Sequence, residues 1–276
     1  MRFSKYQALG NDFIITEDKS LKGNEDKIKR LCDRHYGIGA DGLIIAEEAK
    51  EVSTHLFMDY YNHDGIVAEM CGNGLRSLAK YTYEEMAIRE NPIKIGTRKG
   101  IRTAYLKTED KDIVIEVTVD MGIASFNPED LPALFPSPII GVRQSLEGND
   151  LLMTLLSVGN PHLVIFNLPL EEKVVSELGP KLEVSSFFPN RINVGFARVI
   201  DRQNIELRVW ERGCGETLAC GTGATASFAA ALEQGLVDKA CTVHLKGGDL
   251  RFERNDEGHI LMTGSAERVF TGEIEL

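Results

Sequence analysis

The chain has 276 residues, 43% of them hydrophobic and 26% charged, with a formal net charge of −11. This composition is globular, and an acidic balance without Lys/Arg clusters argues against nucleic acid and anionic membrane as partners. No apolar run approaches the roughly 20 residues that span a bilayer, and the first residues lack a signal-peptide core, so a soluble, cytoplasmic protein is expected.

Taken in chain order, "DFIITE" (12–17) reads as a strand and 24–35 as a helix. "LIIAEE" (43–48) and "HLFMDYY" (55–61) follow as strands, then a helix over 72–89 and strands over 99–108 and 112–122. The stretch 125–138 holds four prolines in fourteen residues and reads as a crossing between two units. Beyond it come strands over 152–159 and 162–167, a helix over 170–178, strands over 191–200 and 205–213, and a helix over 221–235. Strands over 241–246, 249–254 and 259–264 follow, and "ERVFTGEIEL" (267–276) returns to the first unit. Alternation and β-branched residues support the strands. Strands outnumber helices without alternating with them one to one, which points to α+β rather than a doubly wound parallel sheet.

The five cysteines are Cys32, Cys71, Cys214, Cys220 and Cys241. Their odd count and irregular spacing are not a disulfide framework. No C-x-x-C pair is present, so no metal site is expected. Cys32 and Cys241 read as packed small hydrophobes.

Sliding the sequence by 149 residues places "MCGNGLRSLAKY" over "ACGTGATASFAA", so that Cys71 falls on Cys220. The same offset places Gly10-Asn11 on Gly159-Asn160 and Tyr61-Asn62 on Trp210-Glu211. Separated motifs sharing one offset imply two similar units. Each Cys-Gly-x-Gly precedes an apolar, helix-spaced stretch. A helix N-terminus presents unsatisfied N–H groups and a partial positive charge. Glycines there let an anion approach the backbone. The positive end also lowers a thiol pKa from ~8.5 to about 3.5–7.5 in known cases. One such cysteine alone would read as core packing. Two related by symmetry suit the inversion of a stereocentre, one thiolate removing a proton from one face of a carbon and the opposed thiol returning one to the other.

"LGNDF", "GIGADGL", "EMCGNGLRSLAKY", "VGNPH", "RINVGF" and "ERGCGETLACGTGA" resemble the signature blocks of the diaminopimelate epimerases, in that family's order. The resemblance implies two pseudo-symmetric α+β units, each a barrel-like, mostly antiparallel sheet around a central helix, with the active site in the cleft between them. Residues 1–118 with 265–276 would form the unit carrying Cys71, and residues 119–264 the unit carrying Cys220. It further implies a cofactor-independent isomerase that needs no pyridoxal phosphate. Such an enzyme interconverts L,L- and meso-diaminopimelate for lysine and peptidoglycan biosynthesis. Carried over by position, Cys71 and Cys220 are the acid/base pair, and Gly72, Asn73, Gly221 and Thr222 hold the reacting carboxylate. Asn11, Asn62, Asn160, Asn193, Glu211 and Arg212 hold the rest of the substrate, Arg212 suiting the distal carboxylate. In the family's pattern His162 and Glu211 tune the thiols. The small-molecule substrate is the expected partner, and the oligomeric state stays open, a homodimer included. The family often has Ala where Leu75 and Cys214 stand, Cys where Ser77 stands, and a small residue where His63 stands beside Asn62. The alternative reading is therefore a broader amino-acid racemase acting on glutamate or proline.

"GIGADG" (37–42) also fits the dinucleotide fingerprint G-x-G-x-x-G. That fingerprint requires a strand before it and a helix after it, and the order here is reversed. No G-x-x-x-x-G-K-[ST] phosphate loop occurs.

Overall fold

The computed structural model describes residues 1–68, 70–110 and 113–275. Glu69 of the first cysteine block, Asp112 at the head of an expected strand, and Leu276 lie outside the described residues. The chain forms two compact units, Met1–Asp120 with Thr263–Leu276, and Met121–Met262.

Unit 1 contains β1 (Arg2–Ala8), β2 (Asn11–Thr16), α1 (Glu25–Cys32), β3 (Gly42–Glu48), β4 (Leu56–Asn62) and β5 (Val67–Ala68). It continues with α2 (Gly72–Glu84), β6 (Ile93–Thr97), β7 (Gly100–Glu109) and β8 (Ile113–Asp120). Unit 2 contains β9 (Val142–Leu146), β10 (Asn149–Ser157), β11 (Pro161–Ile165), α3 (Glu172–Glu183), β12 (Asn193–Asp201) and β13 (Asn204–Glu211). There follow β14 (Gly215–Thr217), α4 (Gly221–Glu233), β15 (Ala240–Leu245), β16 (Gly248–Arg254) and β17 (Ile260–Gly264), along which the chain re-enters unit 1. β18 (Glu267–Glu273) then pairs antiparallel with β1.

The two units repeat one plan. In unit 1, β1 and β2 form a hairpin, β2 pairs parallel with β3, β3 antiparallel with β4, and β4 parallel with β6. In unit 2, β10–β11, β11–β12, β12–β13 and β13–β15 repeat those four relations in order. The pair Tyr61↔Val67 recurs as Trp210↔Glu216, and α2 and α4 start and stop at equivalent residues, all at the 149-residue offset. Both hairpins turn through glycine in the left-handed region, Gly10 at φ 82° and Gly159 at φ 99°. Asn11 and Asn160 are therefore delivered to the same place in each unit.

Each long helix lies inside its sheet. α2 packs against β1, β2, β3, β6, β7, β8 and β18, and α4 against β10, β11, β12, β13, β15 and β16. Leu75, Leu78 and Ala79 of α2, and Ala224, Ala226, Phe228, Ala230 and Ala231 of α4, are completely or almost completely buried. The Phe228 ring stacks on Phe252 at 5.4 Å. Hydroxyls inside these helices return to the backbone: Thr225 donates to Gly221 O at 2.7 Å and Ser227 to Gly223 O at 2.9 Å. Ser77 of α2 is a buried hydroxyl with no partner among the described residues.

Two expectations change. The proline-rich stretch 125–138 is not a crossing between units, because the chain passes from one to the other at Asp120–Met121. Leu131 and Ile139 lie in the core of unit 2, and Phe135 stacks on Phe187 at 5.2 Å. Proline removes ladder donors but not the apolar surface of the residues around it. α3 runs on to Glu183 through Pro180, because Leu178 and Leu182 on the same face stay buried. Among the described residues no helix is long and apolar enough to cross a membrane.

Candidate active site

Unit 1 presents Cys71 as the N-cap of α2. Its backbone is extended (φ −140°), and its sulfur accepts the amide of Gly74 at 3.4 Å. Unit 2 presents Cys220 in the same way (φ −121°), with the Gly223 amide at 3.3 Å. Each sulfur takes the third helical amide, and the amides of Gly72-Asn73 and Gly221-Thr222 stand at the same helix ends. The second glycine of each motif is set by packing. A Cβ at Gly223 would stand 3.0 Å from Val209 and 3.3 Å from the Cys220 sulfur, and one at Gly74 2.9 Å from Met58.

The Asn11 carboxamide also reaches Cys71. Its Oδ1 accepts from Asn73 Nδ2 at 3.1 Å and from the Cys71 sulfhydryl at 3.8 Å. Its Nδ2 donates to Asp41 Oδ2 at 2.8 Å. Asn73 Oδ1 in turn accepts from Arg76 Nη2 at 3.0 Å, and Arg76 Nε donates to Ser265 O at 3.2 Å. Arg76 is fully buried, and burial pulls its pKa down to about 10, so it stays charged at neutral pH. Asn62 ends β4 opposite Gly42.

Around Cys220 the Thr222 hydroxyl lies 3.5 Å from the sulfur, and Asn160 Nδ2 donates to that hydroxyl at 3.4 Å. Asn160 Oδ1 is 2.9 Å from His162 Nε2. His162 is thus linked to the thiol through Asn160 and Thr222. Burial, with the charge of Arg212, pulls its pKa down to about 3, so its imidazole is neutral. Asn193 is a bracket: its Nδ2 donates to Pro161 O at 2.9 Å and its Oδ1 accepts the Arg212 amide at 3.0 Å. The Arg212 guanidinium is exposed, with Nη1 on Asn190 O at 3.3 Å. Glu211 takes a bond from Thr217 Oγ1 at 2.5 Å.

The thiol chemistry differs from the sequence expectation at Cys220. Burial pushes its pKa well above the ordinary thiol value, and the Glu211 carboxylate adds to the rise. The Thr222 hydroxyl and the Gly223 amide work in the other direction and offset only part of it. A helix N-terminus is visible in a sequence, whereas complete desolvation is not. Asp41, Arg76 and Thr217 also belong to the site; all three stand inside the quoted blocks, but no local pattern displays their partners. The available signal for Arg76 is a charged residue set between Leu75 and Leu78 in the stretch after Cys71.

The family model described as diaminopimelate epimerase matches residues 3–127 and 154–269. The chain belongs to the diaminopimelate epimerase family. A diaminopimelate epimerase of Acetivibrio thermocellus is 39% identical over 280 residues, covering 100% of this chain and 99% of that protein. One from Clostridium perfringens is 41% identical over 275 residues, covering 99% of this chain and 98% of its own. Among solved structures, a probable proline racemase from Agrobacterium radiobacter K84 superposes with TM-score 0.74 at 11% identity, covering 100% of this chain and 93% of that one. A hydroxyproline epimerase from Agrobacterium vitis gives TM-score 0.74 at 13% identity, with 99% and 90% covered. At such identities these two structures speak for the diaminopimelate epimerase-like fold alone.

Proposed function

We infer that this chain epimerises diaminopimelate, with Cys71 and Cys220 as the two bases. The observation that carries the reading is the placement of both sulfurs as N-caps of equivalent helices, each bonded to the third helical amide. Inversion needs a base on one face of Cα and an acid on the other. In one direction the Cys220 thiolate takes the Cα proton, forming an S–H bond while the C–H electron pair moves toward the carboxylate. Cys71 then gives its proton to the opposite face and is left as thiolate. The reverse direction exchanges the two roles. Charge developing on the carboxylate meets the N-terminal amides at Gly72, Asn73, Gly221 and Thr222, where a fixed dipole needs no reorganisation.

Before the first step Cys220 must lose a proton. Glu211, whose charge already acts on that sulfur, is the acceptor in this reading. Neutral His162 orients Asn160 beneath Thr222. Arg212 grips the distal carboxylate, and Asn11, Asn62, Asn160, Asn193 and Glu211 complete the substrate contacts, Asn193 through the Arg212 backbone. Every step uses groups of this chain and the one small-molecule substrate. Thiol chemistry requires reduced cysteines, and on that ground we assign the enzyme to the cytoplasm.

The experiment is proton NMR of L,L-diaminopimelate in deuterated buffer, with the parent enzyme beside Cys71→Ala and Cys220→Ala. Deuterium at one Cα with formation of the meso product, and loss of epimerisation in both variants, is expected. Exchange on glutamate or proline at a comparable rate would shift the assignment to the broader racemase.

A further inference from the structure

A chain of four side chains in unit 1 runs Asp41–Asn11–Asn73–Arg76, with successive contacts of 2.8, 3.1 and 3.0 Å. A carboxamide can bond either way round, and its orientation follows from its neighbours. Here the two ends allow no choice. The Asp41 carboxylate only accepts, so Asn11 must turn Nδ2 toward it. The Arg76 guanidinium only donates, so Asn73 must turn Oδ1 toward it. Both amides are then fixed, and they fit each other head to tail.

We propose that Asp41 and Arg76 are positioning residues for the Cys71 half of the site, locking Asn11 so that its carbonyl, and not its NH2, faces the sulfur. The proposal rests on the two-thiol reading. Its consequence is chemical. A carbonyl can accept the S–H of Cys71 and opposes a thiolate, whereas an NH2 in that place would favour the thiolate, as the Gly74 amide already does. The lock therefore sets a carbonyl that favours the S–H of Cys71 against the Gly74 amide and the Arg76 charge, both of which favour the thiolate. Asp41 is itself held: Arg34 Nη2 reaches Asp41 Oδ1 at 2.8 Å and Asp12 Oδ1 at 2.7 Å, and the Asp12 amide donates to Asp41 Oδ2 at 3.1 Å. This gives the "GADG" stretch a purpose that neither a nucleotide nor direct substrate contact supplies.

Asp41→Asn keeps the shape but can donate as well as accept, so Asn11 is no longer locked. We expect kcat to fall about 10–100-fold, the range typical for losing a group that orients a reacting one. KM for diaminopimelate is expected to rise less than kcat falls, because Asn11 is only one of several substrate contacts in this reading. Alkylation of Cys71 by iodoacetamide at neutral pH, mapped by mass spectrometry, is expected to quicken. Parent-like kcat and alkylation in a folded Asp41→Asn would overturn the proposal. Neutron diffraction from the deuterated parent protein decides it even if the variant fails to fold. Deuterium on the Asn11 atom facing Asp41, with bare oxygen toward Cys71, supports the lock, and the reverse overturns it. Cys71→Ser is assayed alongside. Retained epimerisation there would sink the two-thiol reading, while the neutron result would still judge the lock separately.

Discussion

Trp210 and Glu183 are joined by an indole N–H bond of 2.8 Å, and the other oxygen of the same carboxylate takes the Gly213 amide at 2.8 Å. Glu211 and Arg212 lie between those two anchored residues. Glu183 is the last residue of α3, nearly buried, with Arg191 Nη1 3.4 Å away. Its helix approaches so closely that a Cβ on Gly179 would meet the Trp210 ring at 2.7 Å. α3 is thus a brace for the loop that presents Arg212.

Removing this carboxylate leaves a half-buried indole N–H and an exposed backbone amide without their acceptor. Glu183→Ala is expected to lose about 2–4 kcal/mol of stability. In what still folds, KM should rise more than kcat falls, because the guanidinium that holds the distal carboxylate loses its footing. Urea unfolding and steady-state kinetics check this. An unchanged KM would remove the brace from the account.

Gly223→Ala tests the packing of the second thiol. The added methyl stands 3.0 Å from Val209 and 3.3 Å from the Cys220 sulfur, so one of them must shift. A cost of about 1–3 kcal/mol is expected from overpacking. The loss of epimerisation should exceed what that destabilisation explains, since the sulfur sits at the reacting end. A variant as active as the parent would show that the sulfur tolerates displacement.

The two-unit plan was legible because both signals that mark it are local. Gly-Asn starts a strand after a turn that needs left-handed backbone, and Cys-Gly-x-Gly opens a helix followed by small apolar residues. β1 was missed because "RFSKYQA" does not alternate: Ser4 and Lys5 are buried beside Phe3 and Tyr6. Lys5 is satisfied by Asp12 at 2.8 Å and by Gly39 O, partners that no periodicity displays. Asp41 and Arg76 escaped notice for the same reason, since their meaning lies in what two amides between them are forced to do. The Cys220 environment escaped notice because burial is a property of the folded unit.

Acid stability should fall in two stages. His162 is buried neutral with its pKa lowered to about 3, against about 6.5 in the unfolded chain. The unfolded state therefore binds the extra proton first, and stability is lost as pH falls from about 6.5 toward 3. Asp12 follows lower down. Burial opposes its ionisation, but hydrogen bonds and charge from Arg34 and Lys5 win, and its pKa lies at about 2. Its contribution, about 2 kcal/mol at most, is present above about pH 4 and lost as pH falls to 2. Phe13 occupies the position equivalent to His162 in unit 1. His162→Phe is expected to flatten the first stage and leave the second, read from urea midpoints at a series of pH values. An unaltered slope between pH 6 and 4 would remove His162 as its source.

Glu211 has opposite effects on Cys220 at rest and in turnover. Its charge raises the thiol pKa in the resting protein, so Glu211→Gln should increase the thiolate fraction. Alkylation of Cys220 in the variant should be faster than in the parent at the same pH, with both proteins equally buried at that sulfur. Epimerisation should nevertheless fall by about 100-fold or more, because general-base assistance typically contributes 10²–10⁴-fold and an amide cannot accept the thiol proton. Faster alkylation together with slower turnover would assign Glu211 to proton transfer. If alkylation and turnover both quicken, the carboxylate only suppresses the thiolate, and the proton of Cys220 leaves by another route.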